Sequence, residues 1–467
     1  MDKYKKLAFN TVVFAVGSFG SKIFSLLLNN LYTRHISPEG FYTKTLIETT
    51  ALFLLPVFTF SLTEAVVRYG LDKSYDKKQV FTTASAIIFT GLLLMALLMP
   101  FIQPIPILAP IREYAVLLAV YVIMSAARSL CSQFVKARGM VRLFAFDGIL
   151  TTMILFVLST VFISRLEMGV GGFMLSVILS DTCSAVFLFT AAGVGGFFDI
   201  RSFSKELGKK LMKFSLPLIP TTVMWTFTGF SDQIFIGNLC SEGEAGIYCA
   251  AAKLPNLISM LSAVFFQAWN ISAITENDSP ERSEFYGKVC RTYESVLFIG
   301  GAALILMIKP ISALLINYDA FPEYSGAYLY APVLITAVVF ACLDIFLMGI
   351  YTAARRTLNS LVTVSVACAA NILLNICLIP RLGVHGAATA TFVCYLVCFW
   401  IRITDVRRIV PFRFSVLRNV LNTCMLLLMC ILTVGQKSLI YISGIAFVVL
   451  LVNIRPVLSA MRAMIHR

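Results

Sequence analysis

Apolar stretches of about twenty residues recur along almost the whole chain, separated by short polar segments. A stretch of this length crosses a bilayer core of about 30 Å as an α-helix, in which the backbone hydrogen bonds close within the segment. The pattern predicts an all-α polytopic membrane protein with about 14 transmembrane helices and no separate soluble domain. The predicted spans are 7–31, 41–63, 79–100, 114–135, 143–164, 169–193, 214–239, 246–272, 293–316, 328–352, 357–379, 384–403, 416–434 and 438–456.

The distribution of positive charge predicts the orientation of these helices. The net charge of +14 is spread over short loops, which does not fit a nucleic-acid-binding patch. With the N-terminus inside, the cytoplasmic segments hold 28 Lys and Arg and the outer segments hold six. Those six are Arg34, Lys44, Arg112, Arg165, Arg381 and Lys437. By the positive-inside rule, we expect a multi-pass protein of the cell (plasma) membrane with both termini in the cytoplasm.

Two short internal repeats predict how the helices are grouped. SPEGFY at 37–42 matches SEGEAGIY at 241–248, and RLEMGVGG at 165–172 matches RLGVHGAA at 381–388. Six predicted helices separate the copies, so the two halves have the same orientation, an arrangement that places a substrate site between lobes near the midplane. We therefore expect two parallel six-helix lobes, 1–200 and 201–408, followed by a C-terminal helix pair at 409–467.

The middle of the chain resembles a known family. KFSLPLIP, then an Asp followed by IFIGNL, then EAGIYCAAAKL, is similar to the start of the second half of the Wzx-type polysaccharide flippases. These belong to the multidrug/oligosaccharidyl-lipid/polysaccharide (MOP) exporter superfamily. FNTVVFAVGSFGSKIF and LTEAVVRYG resemble the family's opening pattern, although the turn reads Gly-Phe-Tyr where the family has an aromatic residue and then Gly. The resemblance implies a flippase for polyprenyl-diphosphate-linked oligosaccharide, with that lipid-linked oligosaccharide and membrane lipids as partners.

Three cations within predicted spans are candidates for binding the anionic substrate: Lys22, Arg128 and Lys253. An unpaired charge in the bilayer costs at least about 2.5–3.5 kcal/mol, so such residues face protein or water and often mark a transport pathway. Each also has a structural alternative. Lys22 could form an ion pair or snorkel, Arg128 could snorkel to the cytoplasmic surface, and Lys253 could pair with Asp232.

Acidic residues in or near the spans are candidates for gating or for binding a coupling cation, a proton or sodium. Asp181, Asp232 and Asp344 lie within predicted helices, and Asp181 and Asp344 could equally be partners of the intramembrane cations. Asp147 lies near the predicted inner surface, where we expect it to be solvated. Glu64 and Arg68 are four residues apart, which predicts an ion pair on one helix face and, alternatively, an inner gate.

Nothing in the sequence predicts a metal centre, a cofactor or an enzyme. The twelve cysteines include no C-x-x-C pair, the three histidines do not cluster, and a phosphate-binding P-loop motif is absent. Two other functions stay open. A cation-coupled exporter of small drugs from the same superfamily would need an acidic cavity. A glycan polymerase, ligase or glycosyltransferase would need a large outer loop or acidic catalytic residues, and the predicted outer loops are short.

Overall fold

The computed structural model describes residues 24–72, 74–102, 106–276, 279–354 and 356–465, and throughout these ranges the regular elements are helical. Ten helices in this part are long and apolar enough to cross a membrane, and one bent helix pair makes an eleventh candidate. The all-α membrane fold is thus confirmed. Of the three other predicted spans, 7–31 begins outside the described residues, and the side chains of 214–239 and 246–272 are described only in part, so the count of 14 stays a prediction.

By contacts the chain divides into two compact units, one ending at Phe230 and one beginning at Ser231. In the first unit, α5 packs against α3 and α7, and α7 packs against α6. The helix α6 continues into a π-helical turn at Thr160–Arg165. The helices of this unit are α1 at 24–35, α2 Pro38–Phe58, α3 Leu62–Leu71, α4 Lys77–Ile102, α5 Ala115–Ala137, α6 Val141–Ser159, α7 Gly169–Ala191, α8 Lys205–Ser215 and the first part of α9 Leu218–Leu239.

In the second unit the most buried helix is α14, which packs against α11, α12, α16 and α17. The last helix, α18, packs along α12 and α17, so the C-terminal helix pair belongs to this unit. The helices of the second unit after α9 are α10 Glu242–Ala251, α11 Asn256–Glu276, α12 Arg282–Leu306, α13 Ile308–Leu315, α14 Ala327–Ala353, α15 Thr357–Leu382, α16 Val384–Ile409, α17 Val416–Val434 and α18 Leu439–Ile465.

The positions of the sequence repeats have the same local structure in both copies. Gly169 starts α7 with φ of +53°, and Gly383 caps α16 with φ of +56°. This left-handed conformation is disfavoured for residues with a Cβ atom, which accounts for glycine at both positions. Likewise, Ser37 and Ser241 each accept a hydrogen bond from a backbone N–H in the first turn of α2 and α10.

Several helix boundaries differ from the sequence prediction. The predicted span 41–63 is bent by 55° between α2 and α3, where Phe60 and Ser61 adopt positive φ shortly after Pro56, which lies in the last turn of α2. The predicted span 246–272 is broken between α10 and α11, because Pro255 disfavours helical backbone in the residue before it. Hydropathy detects the length of an apolar stretch but not these local interruptions.

The predicted span 293–316 is also displaced. Its helix α12 begins eleven residues earlier, at Arg282, and ends at Leu306. The early turns are polar, and Lys288 pairs with Glu284, with Nζ 2.6 Å from Oε1. An i,i+4 pair of this kind supports a helix that extends beyond the apolar core of the membrane.

A reciprocal amide pair joins the last two helices and gives a first prediction. Asn422 Nδ2 donates to Asn453 Oδ1 at 3.1 Å, and Asn453 Nδ2 donates to Asn422 Oδ1 at 2.7 Å, with both residues buried. We expect Asn422→Leu to cost about 1 kcal/mol, the usual scale of an interhelical hydrogen bond in a membrane, because the Asn453 amide loses its partner. The double variant with Asn453→Leu should recover most of the loss in thermal denaturation of the detergent-solubilised protein. An additive loss in the double variant would contradict this account.

Candidate functional site

The most elaborate polar cluster in the second unit surrounds Asp232, in the buried second half of α9. Four side chains donate hydrogen bonds to its carboxylate. Tyr248 Oη donates at 2.8 Å, Asn375 Nδ2 at 2.7 Å and Asn371 Nδ2 at 3.2 Å, and Thr391 Oγ1 also donates. These donors come from three helices, α10, α15 and α16, and every one of them is neutral. The carboxylate is therefore well solvated by the protein while its charge is not neutralised by these partners.

The same cluster is rich in oxygen atoms. Asn371 Oδ1 accepts from Ser231 Oγ at 2.5 Å and from Asn375 Nδ2 at 3.1 Å, whereas Asn375 Oδ1 is buried without a hydrogen-bond partner in the described part of the chain. A buried acceptor without a donor is costly. Rotation of the Asn371 and Asn375 amides would direct carbonyl oxygens towards a cation beside Asp232. Carboxylate, amide and hydroxyl oxygens are ligands for hard cations.

The sequence analysis selected Asp232 but missed its partners. Asn371 and Asn375 are four residues apart in NILLN, so both lie on one face of α15. Two amides at this spacing inside an apolar stretch could have indicated a buried polar cluster, because buried polar groups need hydrogen-bond partners. Lys253, which the sequence offered as a partner for Asp232, is half-buried in the break between α10 and α11 and is not one of the four donors.

In the first unit the structure brings together two of the predicted residues. Arg128 Nη1 lies 3.1 Å from Asp181 Oδ1, and Ser125 Oγ donates to the other oxygen of the same carboxylate. The sequence left Arg128 and Lys253 open as partners of Asp181, and in the structure the partner is Arg128. The arginine side chain is 31% exposed, and its Nε is buried without a hydrogen-bond partner among the described residues. It therefore keeps unused donor capacity.

Asp147 is buried rather than solvated, contrary to the expectation from its position near the end of a span. Its Oδ1 accepts from Ser184 Oγ at 2.5 Å, and Thr151 Oγ1 lies 3.4 Å from the same oxygen. The hydroxyl groups replace the water that the sequence analysis assigned to it. The expectation was wrong because α7 packs along α6 and covers this face.

Asp344 is buried in α14, and its neighbour is an arginine that the sequence analysis assigned to the cytoplasm. Arg402 in α16 is fully buried, with Nη1 donating to the main-chain oxygen of Asp344 at 2.9 Å and Nε donating to Thr363 Oγ1 at 3.0 Å. Neither carboxylate oxygen of Asp344 has a hydrogen-bond partner in the described ranges. Arg402, which the charge count placed among the cytoplasmic cations, is thus buried within the second unit and not exposed in a loop.

Lys44, which was counted among the outer cations, lies near the start of α2 and not in a loop. It is buried, with Nζ 2.8 Å from Glu48 Oε1 and 4.7 Å and 4.6 Å from the ring centroids of Tyr32 and Phe173. Cation–π contacts and an ion pair together offset the cost of burying the ammonium group. Of the six cations counted as outer, the other five are exposed.

The remaining predicted residues are less informative. Glu64 and Arg68 are both exposed on α3, and the described structure has no ion pair between them. Lys22 lies outside the described residues. Among the described residues, no group of three or more His, Cys, Asp or Glu side chains could hold a metal ion. The Asp232 cluster and the Arg128–Asp181 pair are therefore the two candidate sites, one in each unit.

Comparisons with known proteins place this geometry in a family context. The family model described as "Polysaccharide biosynthesis protein" matches residues 7–270. The chain is 27% identical over 201 residues to the "Uncharacterized membrane protein YabM" of Bacillus subtilis (strain 168). This match covers 40% of the chain and 36% of the relative, so the chain spans about a third of that protein's length.

Solved structures match over most of the chain. The lipid II flippase MurJ in an inward closed conformation has a TM-score of 0.73 at 15% identity, covering 97% of this chain and 100% of that one. An inward-facing multidrug resistance MATE family transporter of the MOP superfamily has a TM-score of 0.68 at 14% identity, covering 85% and 98% of the two chains. At these identities the matches establish the shared all-helical transporter fold.

Proposed function

The chain belongs to the polysaccharide biosynthesis protein family, and on that premise we propose that it flips a polyprenyl-diphosphate-linked oligosaccharide from the inner to the outer leaflet by alternating access. The observation that carries the proposal is the family match over residues 7–270, which agrees with the resemblance to Wzx-type flippases in the sequence. The shared fold with a lipid flippase and a drug exporter supports transport rather than enzymatic catalysis. The proposed location is the plasma membrane, in cell-surface polysaccharide biosynthesis.

Arg128 is the described residue best suited to meet the diphosphate of such a substrate. Its side chain is 31% exposed, while Asp181 holds the Nη1 end of the guanidinium in place. Guanidinium groups bind phosphate oxygens in a geometry that a point charge does not offer. Lys22 and Lys253 stay proposals from the sequence. Moving two negative charges outward also gains roughly 5 kcal/mol per 100 mV of membrane potential.

Asp232 is the proposed site of a coupling cation, a proton or sodium. Its carboxylate, the two asparagine amides and the Thr391 hydroxyl supply oxygen ligands, and the unsatisfied Asn375 oxygen supports an occupant. Asp344 is less suitable, because Arg402 already contributes a positive charge beside it. Occupation of the Asp232 site would bias the transport cycle only if the cation binds one conformation more tightly than the other.

The test is the sidedness of lipid-linked oligosaccharide in membranes with and without the protein. Without it, intermediates should accumulate in the inner leaflet. Arg128→Gln should lower the flipping rate about 10- to 100-fold, the scale of one lost hydrogen bond to a charged group. The control is Arg201→Gln, an exposed arginine in the turn before α8, which should retain full activity at equal abundance.

A second variant separates transport from folding. In Arg128→Gln the Asp181 carboxylate loses its partner, so the double variant with Asp181→Asn should regain thermal stability without regaining transport. Unchanged sidedness in a strain that lacks other flippases would refute the flippase proposal. Full activity of Arg128→Gln would refute only the role of Arg128.

The alternative is a cation-coupled exporter of small molecules. The oxygen-rich Asp232 cluster and the fold shared with a MATE transporter are the observations in its favour. Cation-driven efflux of small drugs from vesicles, together with unchanged oligosaccharide sidedness, would favour this alternative.

A further inference from the structure

A cavity of about 800 Å³ opens in the second unit between the polar first turns of α12 and the segment 411–415 that leads into α17. Positive-inside counting assigns both segments to the predicted cytoplasmic side. The two segments lie close together at Gly287, where a Cβ atom would be in ordinary van der Waals contact, at 3.5 Å, with the backbone of Arg413. The cavity therefore belongs neither to the Asp232 cluster nor to the Arg128–Asp181 pair.

The lining of the cavity is cationic. Four basic side chains and two acidic ones line it, giving a net charge of +2. The two carboxylates are already paired, Glu284 with Lys288 and the buried Glu294 with Arg418. Arg291 and Arg413 are exposed, and in the described part of the chain neither lies within 4.0 Å of a carboxylate. Two guanidinium groups thus remain available at the cavity wall.

Arg418 adds a further donor beneath them. Its side chain is only 11% exposed, it pairs with Glu294, and its Nε is buried without a hydrogen-bond partner among the described residues. Asn419 Nδ2 completes the pair by donating to Glu294 Oε1 at 3.0 Å. The Arg418–Glu294 pair thus fixes the floor of the cavity, while the excess positive charge is carried by Arg291 and Arg413 at its wall.

An apolar stripe begins at the same point. Leu417, Val420, Leu421, Leu428 and Ile431 are all exposed on α17, with Leu417 71% exposed, and their spacing keeps them along one side of the helix. In a membrane protein such side chains contact acyl chains. A ligand that fits both features has a phosphate at the cavity and hydrocarbon chains along α17.

From this juxtaposition we propose that the cavity binds the phosphate of an anionic glycerophospholipid of the inner leaflet, whose acyl chains lie along the exposed face of α17. Basic pockets at the cytoplasmic ends of transmembrane helices are suited to such head groups. The glycerophospholipid is favoured over a polyprenyl carrier because it is the bulk component of the leaflet that the stripe contacts. This site is independent of the proposed transport function.

The test measures binding of dioleoylphosphatidylglycerol to the purified full-length protein by native mass spectrometry, with dioleoylphosphatidylcholine as the zwitterionic reference. Arg291→Gln combined with Arg413→Gln should weaken phosphatidylglycerol binding about 30-fold, since each arginine near the membrane surface contributes about fivefold. The matched control is Arg407→Gln with Arg408→Gln, which removes the same charge from exposed positions of α16 outside the cavity. All four residues are exposed, so both variants should keep the wild-type melting temperature.

Loss of binding in the cavity variant alone would support the site. Equal loss in the control variant would overturn it, because attraction would then depend on net charge. Displacement of phosphatidylglycerol by inorganic phosphate would identify a free anion site instead and overturn the lipid assignment. Stronger binding of undecaprenyl phosphate than of phosphatidylglycerol would assign the cavity to a polyprenyl carrier and also overturn it.

Discussion

Asp232→Asn is expected to abolish the stabilisation of the protein by the proposed coupling cation and to stop cation-dependent transport. The wild-type site offers a carboxylate surrounded by neutral donors and an unsatisfied amide oxygen, so cation binding supplies the missing positive charge. A cation at 100 times its dissociation constant stabilises the folded state by about 2.7 kcal/mol. The asparagine variant retains the shape of the side chain but lacks the charge. We therefore expect the cation to add almost nothing to the stability of this variant.

The measurement is thermal denaturation in detergent with sodium chloride or choline chloride at one pH and one ionic strength. A second series varies the pH without sodium. A sodium response in the wild type identifies sodium as the cation, whereas a response to pH alone that Asp232→Asn removes identifies a proton. Asp344→Asn is the matched control, because it removes a buried carboxylate of the same unit that has none of the four donors. A variant at Asp232 that responds as the wild type does would contradict the cation site.

Much of the fold could be predicted from the sequence, because apolar length alone identifies membrane helices and the charge of the loops orients them. The breaks at Pro56 and Pro255 and the early start of α12 at Arg282 could not be predicted from hydropathy. They depend on local backbone restrictions and on helix formation outside the apolar core. The repeat glycines, by contrast, were visible in the sequence, and both have positive φ.

The candidate sites were predicted less completely for a physical reason. A carboxylate within an apolar stretch is conspicuous, so Asp232 and Asp181 were selected. Their neutral partners are not conspicuous. An asparagine or threonine is tolerated at any position of a helix where its side chain can form a hydrogen bond. Arg402 was counted as a loop charge because charge counting ignores the helix face. Cys398 and Val406, one turn before and after it, are both buried, and this spacing indicated that Arg402 faces the interior.

Arg402→Met is expected to lower the free energy of unfolding by about 2–4 kcal/mol, because two buried acceptors lose a charged hydrogen-bond donor. The arginine is fully buried and donates to Thr363 Oγ1 and to the main-chain oxygen of Asp344, whose own carboxylate oxygens have no hydrogen-bond partner in the described residues. Methionine fills a similar volume without the charge, so the loss measures electrostatics more than packing.

The double variant Asp344→Leu with Arg402→Met should recover part of that stability, because it also removes the buried Asp344 carboxyl, which has no hydrogen-bond partner among the described residues. Arg407→Met is the control on the same helix, and at an exposed position it should change stability by no more than about 0.5 kcal/mol. Melting temperatures of the four purified proteins in one detergent provide the measurement. If the double variant is no more stable than Arg402→Met, then the arginine acts through packing and its two hydrogen bonds, and Asp344 is not the group that requires its charge.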